Sequence, residues 1–260
     1  MENSQKFLMT RRQALMAMGG GVAALAGCGS DGPTGPGDFT SGRLTARPTS
    51  GRATLPTGVS TLPLTLGLDG LLFVPTSYNP ATPAPAALLL HGAGRDASEL
   101  MTPVSSYAQS RGLVLISLSA AAGTWDAING EFGADVKHID TALAWLFDRC
   151  NVDASRIGVM GFSDGATYAI ALARINGDLL RRATIYSPGY LIGASPVGKP
   201  EFFVTHGTSD QVLSVNTTRN VIVPSLRAAG YSVEYHEWDG GHGVPAALLE
   251  DSVTWFVRPA

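Results

Sequence analysis

The pentapeptide Gly161-Phe162-Ser163-Asp164-Gly165 carries the strongest chemical signal in this sequence. It lies between an apolar run, Arg156-Met160, and a helical pattern, Ala166-Ile175. A serine with glycines two before and two after fits a sharp strand-to-helix turn that projects Oγ, because side chains at the flanking positions would collide. The spacing alone arises by chance about 0.3 times in a chain of this composition. The strand–turn–helix context gives it meaning. A serine hydroxyl becomes a nucleophile only when a base takes its proton in the transition state. Of the five histidines, His242 sits in a glycine-flanked loop, Gly240-Gly241-His242, after an apolar strand pattern. His91 and His206 end buried-type strands and read as loop braces. His138 has Lys137 and Asp140 beside it on a solvated helix face, and His236 lies within a strand.

The base needs a carboxylate to hold one tautomer and to stabilise its imidazolium. Asp210 follows the strand Glu201-Thr205 and completes the chain order Ser163, Asp210, His242. Asp239 competes, but it lies three residues from His242 in the same loop and reads as a turn former. This is acyl-transfer chemistry. No glycine-rich phosphate loop follows the first strand and no carboxylate cluster is evident, so neither a cofactor nor a metal is expected.

Those residues must be positioned by an alternating framework. Two strand-like runs within Thr61–Val74 are expected to form a leading hairpin around Gly67 and Asp69-Gly70. Strands are expected at Ala86–Leu90, Leu113–Leu118, Arg156–Met160, Ala183–Tyr186, Glu201–Thr205 and Ser232–Glu237. Helices are expected at Ala97–Arg111, Asp135–Arg149, Ala166–Ile175, Val221–Ala229 and Val244–Val257. Alternation of helices with fully apolar strands predicts an α/β fold: one mostly parallel central sheet with helices on both faces. In such sheets ligands bind beyond the carboxyl ends of the strands, where the singled-out residues fall. Only about fourteen residues, Ser187 to Pro200, are free for a loop between Ser163 and Asp210, too few for a lid domain. An open, shallow site follows. Trp125 would either line it or pack on the sheet rim.

From about residue 60 onward the chain resembles an α/β-hydrolase, in particular the bacterial phospholipase/carboxylesterase branch, with polyhydroxybutyrate depolymerase and feruloyl esterase lineages nearby. The resemblance rests on the serine turn, on His91-Gly92-Ala93-Gly94, on His206-Gly207-Thr208-Ser209-Asp210 and on Gly240-Gly241-His242. It implies a serine hydrolase of carboxylic esters working through an acyl-enzyme. It further implies an oxyanion hole made by the backbone N–H groups of Ala93 and Asp164. An aspartate at position 164 departs from the neutral residue of many relatives, so its carboxylate is expected to turn away from the hole or pair with a cation. Thioester hydrolysis or acyl transfer would use the same residues, and an inert ligand-binding lipoprotein could share the fold.

Composition narrows the class. The 260 residues carry a formal charge of −3, 45% hydrophobic and 15% charged residues. That excludes wholesale disorder and a multispanning membrane protein, and offers nucleic acid no basic surface. Two cysteines cannot make a disulfide framework; Cys150 reads as a buried small hydrophobe.

The N-terminus reads as a processing signal over residues 1–27. Lys6, Arg11 and Arg12 precede an uncharged stretch, Ala14–Gly27, that as a helix spans about 21 Å, short of the roughly 30 Å hydrocarbon core. Thr10-Arg11-Arg12-Gln13-Ala14-Leu15 resembles a twin-arginine export signal. Leu25-Ala26-Gly27-Cys28 resembles a bacterial lipobox, which implies a lipidated N-terminal Cys28 and an exported protein held at the cell envelope. Cleavage removes three basic residues and one acidic, leaving 15 against 20 and a net charge of about −5. Membrane attachment would therefore come from acyl chains alone. Residues 28–54 are expected as a flexible linker, and 55–260 as one domain.

Overall fold

The computed structural model describes residues 39–64 and 69–259. The expected signal peptide and Cys28 lie outside the described residues. Eight strands make one sheet: β1 (Gly58–Thr61), β2 (Gly70–Val74), β3 (Ala84–Leu90), β4 (Val114–Leu118), β5 (Val152–Phe162), β6 (Arg182–Tyr186), β7 (Glu201–Gly207) and β8 (Val233–Trp238). Their spatial order is β1-β2-β4-β3-β5-β6-β7-β8. The β1–β2 and β2–β4 pairs are antiparallel, and every pair from β4 to β8 is parallel. Strands β3, β4 and β6 are buried at every position, the signature of a sheet covered on both faces. The helices that cover it include α1 (Ser98–Arg111), α2 (Ala134–Arg149) and α3 (Asp164–Ile175). Short α4 (Val215–Thr217) and α5 (Val223–Ala228) follow, then α6 (Ala246–Val257). Two apolar cores result. One is built around Leu88, Val159 and Ile170, the other around Leu89, Met160 and Phe256.

Three sequence expectations are corrected. The helix expected over Val221–Ala229 is instead a broken run from Val215 to Ala228, with a π-helical turn at Thr218–Ile222. The cause is Pro224, which lacks an N–H and whose ring crowds the carbonyl four residues back; the preceding ladder widens, and Val223 donates to Thr218. The linker expected over 28–54 is, in its described part, a strap packed on the domain. Arg43 forks onto Asp178 at 2.9 and 3.0 Å, Leu44 N–H donates to Asn176, and Thr45 and Ala46 N–H both donate to Asp140. Leu44 is buried in the larger core. The strap's backbone donors find distant side-chain acceptors, so it carries neither helical nor strand periodicity to announce it. Asp140 is consequently buried rather than solvated. On the same helix His138 is half-buried, with Nδ1 shielded from solvent.

Four connections emerge on one edge, because β3, β5, β7 and β8 all run the same way. Leu90 pairs beside Gly161, Phe162 beside Tyr186, and Gly207 beside Trp238. That register sets the site.

Candidate active site

The turn after β5 is held by backbone collisions. A Cβ on Gly161 would stand 2.2 Å from the Gly165 carbonyl oxygen, and one on Gly165 would stand 2.2 Å from the Leu90 oxygen and 2.5 Å from that of His91. Only hydrogen fits at either position. Ser163 is thereby forced to φ 57°, ψ −119°, a conformation costing on the order of 1–3 kcal/mol that persists only when its surroundings over-determine it. Its N–H donates to the Tyr186 carbonyl at 2.9 Å. Its side chain stands at the start of α3, with 8% of the residue exposed.

Ser163 Oγ lies 2.9 Å from His242 Nε2, and His242 Nδ1 lies 2.7 Å from Asp210 Oδ2. The carboxylate can only accept, so Nδ1 carries the proton and Nε2 is left to receive the one on Oγ. Asp210 is fully engaged. Its Oδ1 accepts the N–H groups of Val212 and Leu213 at 2.8 and 2.9 Å, and Oδ2 also lies 3.2 Å from His206 Nε2. Burial works to raise its pKa, but the His242 hydrogen bond and the two amides outweigh it and hold the carboxyl below its ordinary value. Asp239, the competing carboxylate, is exposed and does not reach the ring.

The other histidines are spoken for. His91 Nδ1 donates to the Gly92 carbonyl at 2.7 Å while Nε2 accepts the Ala120 N–H at 2.9 Å. His206 sits between Thr218 Oγ1, 2.8 Å from Nδ1, and the Leu213 carbonyl, 2.9 Å from Nε2. Both rings are neutral braces, and burial pushes the His206 pKa down. His236 pairs with Glu234 and stacks on Phe203. Trp125 packs and does not line the site: it is buried, donates to the His91 carbonyl at 2.8 Å and stacks on Tyr168. Cys150 is buried and free.

Ala93 is exposed in the loop after β3, and Asp164 opens α3. Among the described residues neither backbone N–H has an acceptor. The Asp164 carboxylate is held by the Thr124 hydroxyl at 2.6 Å, a neutral partner where a cation was one alternative. Sequence reasoning did not single out Thr124 for this role, nor Glu99, whose Oε2 accepts the Gly92 N–H at 2.7 Å. Neither contact has a local signal, since the partners are 40 and 7 residues apart in chain. Beside the His242 ring a cleft of about 270 Å³ is walled by Leu100, Pro103, Phe162, Val244 and Leu249, with Glu99 at its edge. The connection Ser187–Pro200 contains no helix, and nothing of lid size crosses the site among the described residues. No group of three or more metal-ligating side chains occurs among them either.

No family profile matches the chain. A 125-residue stretch is 29% identical to feruloyl esterase B of Thermothelomyces thermophilus, covering 45% of this chain and 42% of that protein. The match thus spans less than half the length of that relative. Among solved structures, S-formylglutathione hydrolase FrmB from Staphylococcus aureus superposes with a TM-score of 0.60 at 16% identity, over 80% of this chain and 100% of that one. MGS-M1, an α/β-hydrolase enzyme from a Medee basin deep-sea metagenome library, gives 0.55 at 22% identity, over 72% and 83%. The architecture of this chain is the α/β-hydrolase fold.

Proposed function

We propose that this protein is a serine hydrolase that cleaves carboxylic esters through an acyl-enzyme. The observation that carries the reading is the unbroken chain Ser163 Oγ, His242 Nε2, His242 Nδ1, Asp210 Oδ2, with contacts of 2.9 and 2.7 Å at a strained turn. Ser163 attacks the ester carbonyl as His242 takes its proton, and His242 returns that proton to the departing alcohol. Water, deprotonated by the same ring, then releases the acid. The imidazolium formed in each half is stabilised by Asp210, whose remaining acceptor capacity is already satisfied. The Ala93 and Asp164 amides are the oxyanion donors in this mechanism; removing one such donor typically costs about 3 kcal/mol.

The cleft beside His242 is small and walled mostly by apolar side chains, with Glu99 and His242 as its polar groups, which favours short or compact esters over long acyl chains. The relative from Thermothelomyces thermophilus is named for feruloyl esters, so a methyl ferulate arm belongs in the substrate panel. The deciding test is turnover of a p-nitrophenyl ester series by the wild-type protein and Ser163→Ala. Loss of the nucleophile should lower kcat on the order of 10⁶-fold and abolish labelling by a fluorophosphonate. Equal activity in both proteins would refute the reading.

The same proposal places the protein at the bacterial cell envelope, exported and anchored by lipid on Cys28. What supports this is the Leu25-Ala26-Gly27-Cys28 sequence behind an uncharged stretch. Cys28→Ala should move the expressed protein from the membrane to the soluble fraction and end incorporation of labelled palmitate.

A further inference from the structure

We propose that Glu99 is a positioning residue that aims the oxyanion loop, an inference that rests on the esterase reading. The loop after β3 passes directly over the nucleophile: a Cβ on Gly92 would lie 3.3 Å from Ser163 Cβ and 3.4 Å from Glu99 Oε2. Its successive amides have different fates. The Gly92 N–H donates to Glu99 Oε2 at 2.7 Å, and the Gly94 N–H donates to the Gly123 carbonyl at 2.7 Å. Between them the Ala93 N–H is unpaired among the described residues. The peptides before and after the Gly92–Ala93 peptide are thus tied by Glu99 and Gly123, the Gly92 carbonyl itself accepts His91 Nδ1–H and the Arg95 N–H at 2.7 and 3.2 Å, and the Ala93 amide is the one left to meet an oxyanion.

Glu99 is itself held. It lies in the first turn of α1, and its other oxygen accepts Arg95 Nε at 3.0 Å. With one oxygen turned to a cation, the carboxylate presents the second to Gly92 in a fixed direction. The arrangement also limits the charge facing the developing oxyanion, since Arg95 offsets Glu99. A plainer role is available: an acidic residue in a helix's first turn is favoured by the helix dipole whatever it touches. The two roles ask for different chemistry. Aiming the loop needs an acceptor at the reach of a glutamate side chain, whereas the dipole needs only a negative charge.

Two conservative substitutions separate them. Glu99→Gln keeps one acceptor oxygen for the Gly92 N–H and gives up the charge together with the contact to the exposed Arg95. Glu99→Asp keeps the charge and falls one methylene short of Gly92. With p-nitrophenyl acetate, E99Q should retain kcat within about threefold, while E99D should lose about 10- to 100-fold in kcat with KM within twofold, a misaimed donor costing part of the 10²–10³ of a deleted one. Affinity for a trifluoromethyl ketone, which forms a hemiketal oxyanion on Ser163, should fall in E99D by the same factor as kcat/KM. The reverse ranking, with E99Q impaired and E99D normal, would overturn the inference, as would unchanged kinetics in both. Wild-type protein that is folded yet neither hydrolyses the ester nor takes a fluorophosphonate would overturn the esterase reading itself. Active wild type with an indifferent E99D overturns only the role of Glu99.

Discussion

The turn that presents Ser163 and the loop that presents His242 face each other across one hydrogen bond, yet they are held by opposite means. The serine turn is clamped along its whole length by main-chain contacts, Gly161 against Gly165 and Gly165 against the end of β3. The histidine loop is clamped only at its root. There Gly240 is pressed against the Trp238 ring and its carbonyl against Gly207, whereas added Cβ atoms at Gly241 or Gly243 would meet no heavy atom within 4 Å. The aim of His242 therefore depends on its side-chain bonds to Asp210 and Ser163 and on the Phe162 ring, 4.8 Å away between centroids. The serine is placed by steric exclusion and the histidine by electrostatics. Steric placement tolerates no added atom; electrostatic placement tolerates atoms but not the loss of a charge.

That contrast can be broken most severely at the base. His242→Ala should lower kcat on the order of 10⁶-fold, about as much as loss of the serine, while the melting temperature falls by only roughly 2–4 °C, because Asp210 loses one hydrogen bond but keeps two amides and His206 as partners. Asp210→Asn keeps the shape and inverts the tautomer preference, so a loss of about 10⁴ in kcat is expected. Gly165→Ala attacks the steric side. Its methyl would sit 2.2 Å from the Leu90 oxygen, and a strain of about 3 kcal/mol or more should lower the melting temperature by roughly 6–12 °C in a domain of this size, with activity lost alongside. Gly241→Ala is the matched control, expected to change kcat less than threefold and stability hardly at all. Differential scanning calorimetry with ester kinetics reads all four.

A smaller effect concerns pH. Burial holds the His206 pKa below 6.5, and the neutral ring braces Asp210. The unfolded chain takes up that proton near pH 6.5 while the folded one does not, so stability should fall as pH drops from about 7 toward the depressed folded value. The half-buried His138, lowered for the same reason, adds to the slope. His206→Gln should flatten but not abolish the decline in melting temperature between pH 7.5 and 5.5; an unchanged slope would remove His206 from the account. Asp210 acts lower still: its depressed pKa contributes stability that is present above about pH 4 and lost as pH falls through the folded value.

The serine turn was legible because its constraint is local. Two glycines and a serine within five residues announce a turn that no other composition fits, and the adjoining apolar run and helical pattern supply its context. The strands were legible for a related reason, since a strand buried on both faces must be apolar throughout, as β3 and β4 are. Boundaries were less so: β5 runs from Val152, four residues before its apolar stretch begins, because its early pairing uses main-chain groups that leave no mark on side-chain type.

By itself, the sequence determined the fold class, the serine turn, and a chain order that made Asp210 and His242 the economical partners of Ser163. Tertiary structure decided the contacts between residues distant in chain: that His242 Nδ1 meets Asp210 and not Asp239, that His206 is a brace behind the acid, that Trp125 belongs to the core, that residues 43–46 strap onto α2 and the turn after α3, and that Glu99 holds Gly92. A turn is selected by collisions between neighbours in sequence, which residue types record. A hydrogen bond across the sheet edge is selected by strand register and loop path, and these exist only once the whole chain has packed.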